Sequence, residues 1–558
     1  MPRFRWMAHA LVLAGAALLA AAAPAAMAAE ATAGAASVDP RLWRATAQGL
    51  VRGAAEARTG TFRWLGLPYA KPPTGALRWK PPVDPDAWAG ARDATAFGPS
   101  CAQSGRFFSP APDNAPFGLS VRDGFGQLVG SEDCLTLNVW RPADNAGPLP
   151  VIVFIHGGSN ISGYSSDPIY QGGPLAAKAR AVVVTINYRL GLFGWLDMGQ
   201  LKTGEPRNDS GNFGNLDHLQ ALKYIRTNIA AFGGDPGNVT VMGESAGSVN
   251  TWALLVSPLA RGLFHKAVSM SGGMQTTDGL TAKLYAGALM HKLLIADGRA
   301  WDDVSAELYL LTQTRQQVAD FLRSRTAQQL VQAERAVGVP APAVFADGTV
   351  LPSSPIAAIW TGQYNRVPML AGNTRDEGKL FGPFKASEYD RFTMQYQFDP
   401  DAPPTLTEAD FLNPLFLPVD RPVTGWNTIS SVATTAVFGK GTIESMNALS
   451  FQQPWQTWYY RFDWDEEPAP FDTVYGAAHA MDLPFVFGNF GRSALSFAFS
   501  EANKPGRLAL SDAMMRSIGA FAWTGNPQNA SLGSYWPTWP GRMVFDASKT
   551  QGAMRAEW

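Results

Sequence analysis

The sequence GESAG at residues 243–247 occurs once in this chain and is the pattern best suited to nucleophilic catalysis. A β-rich run at residues 239–242 precedes it, and a helical run to about Val256 follows it. A strand, a sharp turn and a helix make a nucleophile elbow, in which flanking glycines let the chain hold a serine hydroxyl exposed. The amides of a helix that begins there point at a developing oxyanion. We therefore predict that Ser245 is a nucleophile rather than a buried serine in a glycine-rich turn.

A serine hydroxyl needs a base that takes its proton, usually a histidine oriented by a carboxylate. In chains with a nucleophile elbow the order is serine, acid, histidine. His479 fits this order, in a loop of small residues after a predicted strand at residues 455–462. The other histidines lie in the N-terminal segment, before the serine, or too soon after it to leave room for a strand and an acid: His9, His156, His218, His265 and His291. We predict His479 as the base by elimination.

Two adjacent carboxylates, Asp376 and Glu377, come just after a predicted strand at residues 367–370 and before His479. Either one satisfies the required chain order. The residues by themselves therefore leave both candidates open for the acid. No group of His, Asp and Glu has the spacing of a metal site, and we expect neither a metal nor another cofactor.

The segments that must position these side chains alternate between strand-like and helix-like patterns. Short, almost wholly apolar runs at residues 150–155 and 181–187 are typical of central strands covered on both faces. The alternation predicts an α/β fold with a mostly parallel, doubly wound sheet flanked by helices. Residues 276–339, which have the pattern of several helices, and residues 387–447, which are irregular, fit this scheme poorly. We expect both to be insertions that cap the carboxyl edge of the sheet, where ligands bind.

Residues 1–28 have the composition of a cleaved signal peptide. Arg3 and Arg5 precede an apolar run at residues 8–23, and Ala-Met-Ala at residues 26–28 supplies small residues for cleavage. The run is short and Ala-rich for a transmembrane anchor. We expect an exported protein, periplasmic or secreted, without a stable membrane anchor.

The composition of the 558-residue chain excludes several classes of protein. Hydrophobic residues make up 46% of it, which excludes a mostly disordered chain. The formal net charge of −1 leaves no basic surface for nucleic acid. The two cysteines, Cys101 and Cys134, exclude a disulfide scaffold and a Cys-rich zinc site but allow one bridge.

Several further motifs follow one another along the chain. They are residues 62–73 (FRWLGLPYAKPP) with 77–79 (LRW), 131–135 (SEDCL) with 137–139 (LNV), 187–189 (NYR), 231–236 (AFGGDP), 373–378 (NTRDEG), and 521–527 (FAWTGNP) with 536–537 (WP). Together with GESAG they make the chain resemble the type-B carboxylesterase (cholinesterase/carboxylesterase) family of α/β hydrolases over about residues 41–545. The resemblance implies a single α/β-hydrolase catalytic domain, residues 29–558 after removal of the leader.

The resemblance also implies roles for individual residues. The family places a glutamate before a glycine in the acid segment, which matches Glu377 and supports the histidine named above. By similarity, Glu244 and Ser271 are polar groups close to that histidine, and the family's N-terminal disulfide falls on Cys101 and Cys134.

The loop expected to bind the oxyanion departs from the family pattern. That loop usually has three glycines and an aromatic residue, whereas this chain has Gly157, Gly158, Ser159 and Asn160. Because backbone amides form the hole, we expect the amides of Gly158, Ser159 and Ala246 to serve. Asn160, in place of the aromatic residue, predicts a roomier or more polar pocket.

The predicted activity is hydrolysis of small-molecule carboxylic esters through an acyl-enzyme, without a cofactor. One alternative is a non-catalytic binding homologue, which is disfavoured because competent residues fill all three catalytic positions. Another is hydrolysis of amides or carbamates by the same residues. The sequence does not indicate which ester is the substrate.

Overall fold

The computed structural model describes residues 39–144, 146–397 and 405–558. The predicted leader, residues 1–28, lies outside them. The chain divides into two compact units, Met1–Trp43 and Arg44–Trp558. The described part of the first unit contains a 3-10 turn, Pro40–Leu42. Among the residues described, no helix has both the length and the hydrophobicity needed to cross a bilayer.

The second unit is built on an eleven-stranded sheet. Its strands, labelled β1 to β11 in chain order, are Ala54–Glu56, Thr61–Pro68, Thr136–Pro142, Leu149–Ile155, Val182–Ile186, Gly234–Glu244, Lys266–Met270, Met369–Thr374, Thr457–Phe462, Arg542–Ala547 and Gly552–Glu557. Their order across the sheet is β11-β10-β9-β8-β7-β6-β4-β5-β3-β2-β1. Neighbours are parallel from β10 to β5 and antiparallel at both edges. The predicted mostly parallel sheet is confirmed.

Helices flank this sheet. The α-helices of the described residues, labelled α1 to α16 in chain order, are Gly173–Ala179, Gly191–Gly194, Phe213–Asn228, Ala246–Val256, Gly279–Ala296, Asp303–Leu311, Arg315–Ser324, Ala327–Arg335, Pro355–Trp360, Glu388–Gln397, Glu408–Phe411, Trp426–Ala433, Lys440–Gln452, Phe471–Val474, Leu483–Phe487 and Lys504–Thr524. Shorter strands outside the large sheet are Trp43–Thr46, Gly49–Arg52, Ala91–Asp93, Gln103–Ser104 and Leu128–Val129.

The core lies where the apolar runs predicted it. Every residue of β4 and β5 is buried, and the two strands pair in parallel with Val182 opposite Val151. Ile152 and Phe154 belong to the same core cluster as residues of α1 and α16. Burying an aliphatic or aromatic side chain of this size contributes about 1.5–3 kcal/mol, so the central strands are held firmly. They form a rigid base for the loops at their carboxyl ends.

Residues 276–339 contain the helices α5 to α8, as their pattern predicted. Three of these helices begin with capping boxes at Asp302, Thr314 and Thr326, which supply side-chain acceptors for the first free amides.

The prediction that residues 387–447 are irregular is wrong for residues 426–447, and residues 398–404 lie outside the described part of the chain. Helix α12 continues through a π-helical segment, Thr434–Gly439, directly into α13. A π-turn shifts the face that a helix presents, which disrupts the 3.6-residue apolar period, and the Thr, Val and Gly residues there have low helix propensity. The pattern in the sequence therefore hides a long helix.

Cys101 and Cys134 form a disulfide that closes a loop with a sequence separation of 33 residues. The bridge that the family resemblance implied is present. The loop that it closes contributes Phe107 and Phe108 to the wall of a cavity beside Ser245.

Replacing both cysteines with serine is expected to lower the free energy of unfolding by about 3–4 kcal/mol, because the open loop gains conformational entropy in the unfolded state. Equilibrium denaturation by urea measures this change, with the reduced wild-type protein as a control. Equal stability of the variant and the oxidised wild type would contradict the expectation.

Candidate active site

Ser245 occupies a strained turn between β6 and α4. Its backbone angles are φ 55° and ψ −121°, and its amide donates to Met270 O at 2.9 Å. A Cβ atom on Gly243 would clash with the carbonyl oxygen of Gly247, and one on Gly247 would clash with that of Ile155. A positive φ costs a non-glycine residue about 1–3 kcal/mol, which the packing around this turn must offset. The turn leaves the Ser245 side chain partly exposed, as predicted for an elbow.

His479 and Glu377 are brought together beyond the end of β8, where their neighbours Ala478 and Asp376 form an isolated bridge. The Nδ1 atom of His479 is hydrogen-bonded to Glu377 Oε2. The other carboxylate oxygen accepts from Asn373 Nδ2 at 3.0 Å and from the Thr374 amide at 2.9 Å. The Glu377 carboxylate is fully buried, so these bonds fix its orientation and, through it, the tilt of the imidazole ring.

The neighbouring carboxylate points elsewhere. Asp376 Oδ2 pairs with Arg375 Nη2 at 2.8 Å and lies 3.7 Å from Lys379 Nζ. Glu377 is the first residue of a 3-10 helix, Glu377–Phe381, whose turn separates the directions of the two side chains. Of the two candidates that the residues left open, the geometry brings Glu377 to the histidine.

His479 and Ser245 line the same cavity. That cavity has a volume of about 230 Å³. Nε2 has no hydrogen-bond partner among the described residues, although Glu244 Oε1 lies 3.1 Å away. In enzymes without substrate, the contact between a nucleophile and its base often tightens only on binding. Ser245 and His479 thus line one cavity, with Glu244 beside the Nε2 atom of the histidine.

Burial and two nearby carboxyl groups, those of Glu244 and Glu377, are the main influences on the protonation of this histidine. Burial lowers the pKa of His479, but the charges of Glu244 and Glu377 together outweigh burial and raise it. Burial raises the pKa of Glu244 to about 8, against the opposing effect of His479. Burial also raises the pKa of Glu377, but the charge and hydrogen bond of His479 outweigh it and leave this pKa lowered. Glu377 therefore carries the negative charge that stabilises the imidazolium.

The raised pKa of His479 predicts a pH dependence. A base must be neutral to act, so kcat/KM should rise with pH through a midpoint above the ordinary histidine pKa of about 6.5. Glu244→Gln removes one carboxylate that raises this pKa, so the midpoint should move to lower pH in that variant. Profiles of kcat/KM on an uncharged ester give both midpoints. A wild-type midpoint at or below the ordinary value, unmoved by the variant, would be inconsistent with this electrostatic description.

The glycine loop after β4 presents free amides to the same space. Gly158 and Ser159 have φ of 99° and 56°, and their amides donate to no described residue. The Gly158 carbonyl accepts from the Ile161 and Ser162 amides at 3.0 Å, which closes the turn. Ala246 begins α4, where an amide has no acceptor within the helix. The three amides predicted for the oxyanion hole thus belong to residues that line the cavities at Ser245.

Glu244 lies close to the histidine, whereas the contact found for Ser271 is with Glu377. Glu244 packs beneath the glycine loop, since a Cβ atom on Gly157 would stand 2.6 Å from Glu244 Oε2. Ser271 is buried at the end of β7, and its proximity contributes to the lowered pKa of Glu377.

Asn160 does not simply enlarge the pocket. It is buried, and its carboxamide oxygen accepts from Asn250 Nδ2 at 2.8 Å and lies 3.4 Å from the Tyr188 hydroxyl. These contacts tie the glycine loop to α4. The sequence pattern did not predict that Asn160 would anchor the glycine loop in this way.

Two cavities meet at Ser245. One of about 500 Å³ is lined only by uncharged side chains, and the cavity of about 230 Å³ contains His479. Phe381 and Phe438 stand over the imidazole, with ring centroids 5.1 and 4.6 Å from it. Sequence reasoning missed both phenylalanines, because nothing in their spacing distinguishes them from core residues. Within the described ranges, no group of three or more His, Cys, Asp and Glu side chains is arranged to hold a metal ion.

Comparison with known proteins agrees with this geometry. The model of the carboxylesterase family matches residues 41–552. The chain is 36% identical to a para-nitrobenzyl esterase of Bacillus subtilis over 501 residues, which cover 88% of this chain and 92% of the relative. It is 32% identical to a fumonisin B1 esterase of Sphingopyxis macrogoltabida over 557 residues, or 98% and 94% of the two chains.

Solved structures agree as well. A carboxylesterase of Geobacillus stearothermophilus superposes with a TM-score of 0.70 and 30% identity, covering 92% of this chain and 98% of that one. The shared fold is the α/β-hydrolase fold, as expected from the sequence. The chain therefore belongs to the carboxylesterase family and is a carboxylic ester hydrolase.

Proposed function

We propose that the protein hydrolyses small-molecule carboxylic esters through an acyl-enzyme on Ser245, with His479 as the base and Glu377 as its carboxylate partner. The proposal rests chiefly on His479, whose Nδ1 is bonded to the buried Glu377 carboxylate and whose side chain lines the same cavity as Ser245. No other described histidine lines either of the two cavities at Ser245.

The chemistry follows from these positions. Ser245 Oγ attacks the ester carbonyl and its proton passes to His479 Nε2, while the amides of Gly158, Ser159 and Ala246 receive the oxyanion. The tetrahedral intermediate collapses, the C–O bond to the alcohol breaks, and His479 returns the proton to the leaving oxygen. Water then gives its proton to His479 and attacks the acyl carbonyl, which forms a second tetrahedral intermediate. When this collapses, the C–O bond to Ser245 breaks, His479 returns the proton to Ser245 Oγ, and the carboxylic acid is released.

The oxyanion loop offers a direct test. In Gly158→Ala a Cβ atom would clash with the Ser162 carbonyl oxygen. The loop must therefore shift, and its amides no longer point at the oxyanion. We expect kcat to fall about 10²–10³-fold, the usual effect of losing one oxyanion donor. Gly287→Ala is the matched control, since a Cβ there meets nothing within 4 Å. A folded Gly158→Ala enzyme with wild-type kcat would argue against this oxyanion hole.

Ester and amide cleavage can be separated by one comparison. Wild-type enzyme is assayed on p-nitrophenyl esters of increasing chain length and on the p-nitroanilides of the same acids. We expect turnover of the esters with far slower turnover of the anilides, which is supported by relatives named as esterases. Faster turnover of the anilides would reassign the enzyme as an amidase, and turnover of neither would support a binding protein.

We also propose that the enzyme is exported after cleavage behind residue 28. The charge and apolar pattern of residues 1–28 supports this, as does the Cys101–Cys134 bridge, since disulfides persist in oxidising compartments. N-terminal sequencing of the enzyme from periplasm and medium should give a chain that starts at Ala29. An intact leader on active cytoplasmic enzyme would refute it.

A further inference from the structure

The two cavities at Ser245 differ in charge. The larger one is lined only by uncharged side chains, whereas Arg106 and Arg391 both line the smaller one. These arginines come from distant parts of the sequence, the disulfide-closed loop and α10. Positive charge beside an esterase nucleophile bears on which esters the enzyme selects.

Within the described part of the chain neither arginine forms an ion pair, although the charge of Arg106 acts on Glu334. Arg106 and Arg391 are half-buried, and the Nε atom of each is a buried donor without a hydrogen-bond partner. Arg391 lies over the Phe384 ring, with its guanidinium carbon 4.1 Å from the centroid. Stacking of this kind holds a guanidinium in place while its edge N–H groups stay available. Unpaired buried donors are costly, and a bound anion would satisfy them.

Two carboxyl groups line the cavity, those of Glu244 and Glu388, and both are already engaged. Glu244 Oε1 lies 3.1 Å from His479 Nε2. Glu388 accepts from the Phe107 amide, a contact that ties the Arg106 loop to α10. It forms no ion pair with either arginine in the described part of the chain. Glu334 attracts Arg106 electrostatically but is bonded to Tyr285 and to the Leu192 amide. Two arginines against Glu388 leave the cavity rim with a positive charge.

His479 identifies which part of the ester would meet these arginines. It must protonate the leaving alcohol, and it lines the smaller cavity together with Arg106 and Arg391 but not the larger one. The alcohol part of the ester therefore enters the smaller cavity, and the acyl part enters the larger, uncharged one.

We propose that Arg106 and Arg391 bind a carboxylate carried by the alcohol part of the substrate, so that the enzyme prefers acyl esters of hydroxycarboxylic acids. This inference rests on the proposed function, because it takes Ser245 and His479 as the residues that cleave the ester. A planar guanidinium matches a carboxylate through paired N–H···O bonds, which makes arginine suited to this selection.

The test compares two esters that differ in charge alone, 3-(butanoyloxy)benzoate and 3-(butanoyloxy)benzamide. We expect wild-type kcat/KM to be at least about tenfold higher for the benzoate, as charge-assisted hydrogen bonds allow. Arg106→Gln and Arg391→Gln should each reduce this ratio, and the double variant should abolish it. Added salt should reduce the ratio in the wild type, because screening weakens the attraction to a partly exposed charge.

The control is Arg226→Gln, an exposed arginine on α3 that lines neither cavity, which should keep the wild-type ratio. Labelling of Ser245 by a fluorophosphonate confirms that each variant is folded. Equal rates on the two esters would overturn this inference and leave the proposed function intact. The same holds if a carboxylate is preferred only on the acyl side, which is tested by comparing phenyl hydrogen adipate with phenyl hexanoate. Hydrolysis of none of these esters would overturn both.

Discussion

Replacing Ser245 with alanine is expected to lower kcat by about 10⁵–10⁶-fold, because no other group at the elbow can form the acyl-enzyme. The backbone at φ 55° is held by close contacts of Gly243 and Gly247, which the substitution does not touch. The variant should therefore fold, with a denaturation midpoint close to that of the wild type. Steady-state hydrolysis of a p-nitrophenyl ester measures the loss.

The matched control for this substitution is Ser257→Ala at the other end of α4. The Ser257 hydroxyl donates to Val350 O at 2.6 Å and lines neither cavity. We expect this variant to lose about 1 kcal/mol of stability and little activity. If Ser245→Ala kept substantial activity while folded, the nucleophile would have to be another residue.

Replacing Glu377 with glutamine is expected to lower kcat by about 10⁴-fold. The amide retains the size of the side chain but removes the charge that stabilises the imidazolium and fixes its tautomer. The rise of kcat/KM with pH should also move to lower pH, since Glu377 raises the pKa of His479. A merely structural role for Glu377 would reduce stability without moving the pH profile.

Asp376→Asn is the matched control, because Asp376 adjoins Glu377 but pairs with Arg375. It should leave kcat within a fewfold of the wild type. The opposite pattern, with Asp376→Asn inactive and Glu377→Gln active, would reverse the assignment of the acid.

Features with local signals could be predicted from the sequence. Strands β4 and β5 are apolar because both of their faces are buried, and the boundaries found differ from those expected by about a residue. The elbow at Ser245 could be predicted because close contacts exclude a side chain at its two glycines. These contacts are with residues a few positions away and with one neighbouring strand. His479 followed from chain order.

Features that depend on tertiary packing could not be predicted. The choice of Glu377 over Asp376 depends on the 3-10 turn after β8, and without the family resemblance the residues gave no preference. The contact between Phe107 and Glu388 joins residues 281 apart in the chain, so no local pattern places Arg106 beside Arg391. The long helix of the second insertion was hidden by its π-helical segment.

The most direct measurement is active-site labelling with a fluorophosphonate, followed by intact-mass spectrometry and peptide mapping, with esterase activity assayed in parallel. We expect one label per chain, located on Ser245, and loss of activity in proportion to the labelled fraction. Fully labelled enzyme that still hydrolyses esters, or a label on a different residue that accounts for the loss of activity, would contradict a mechanism through Ser245.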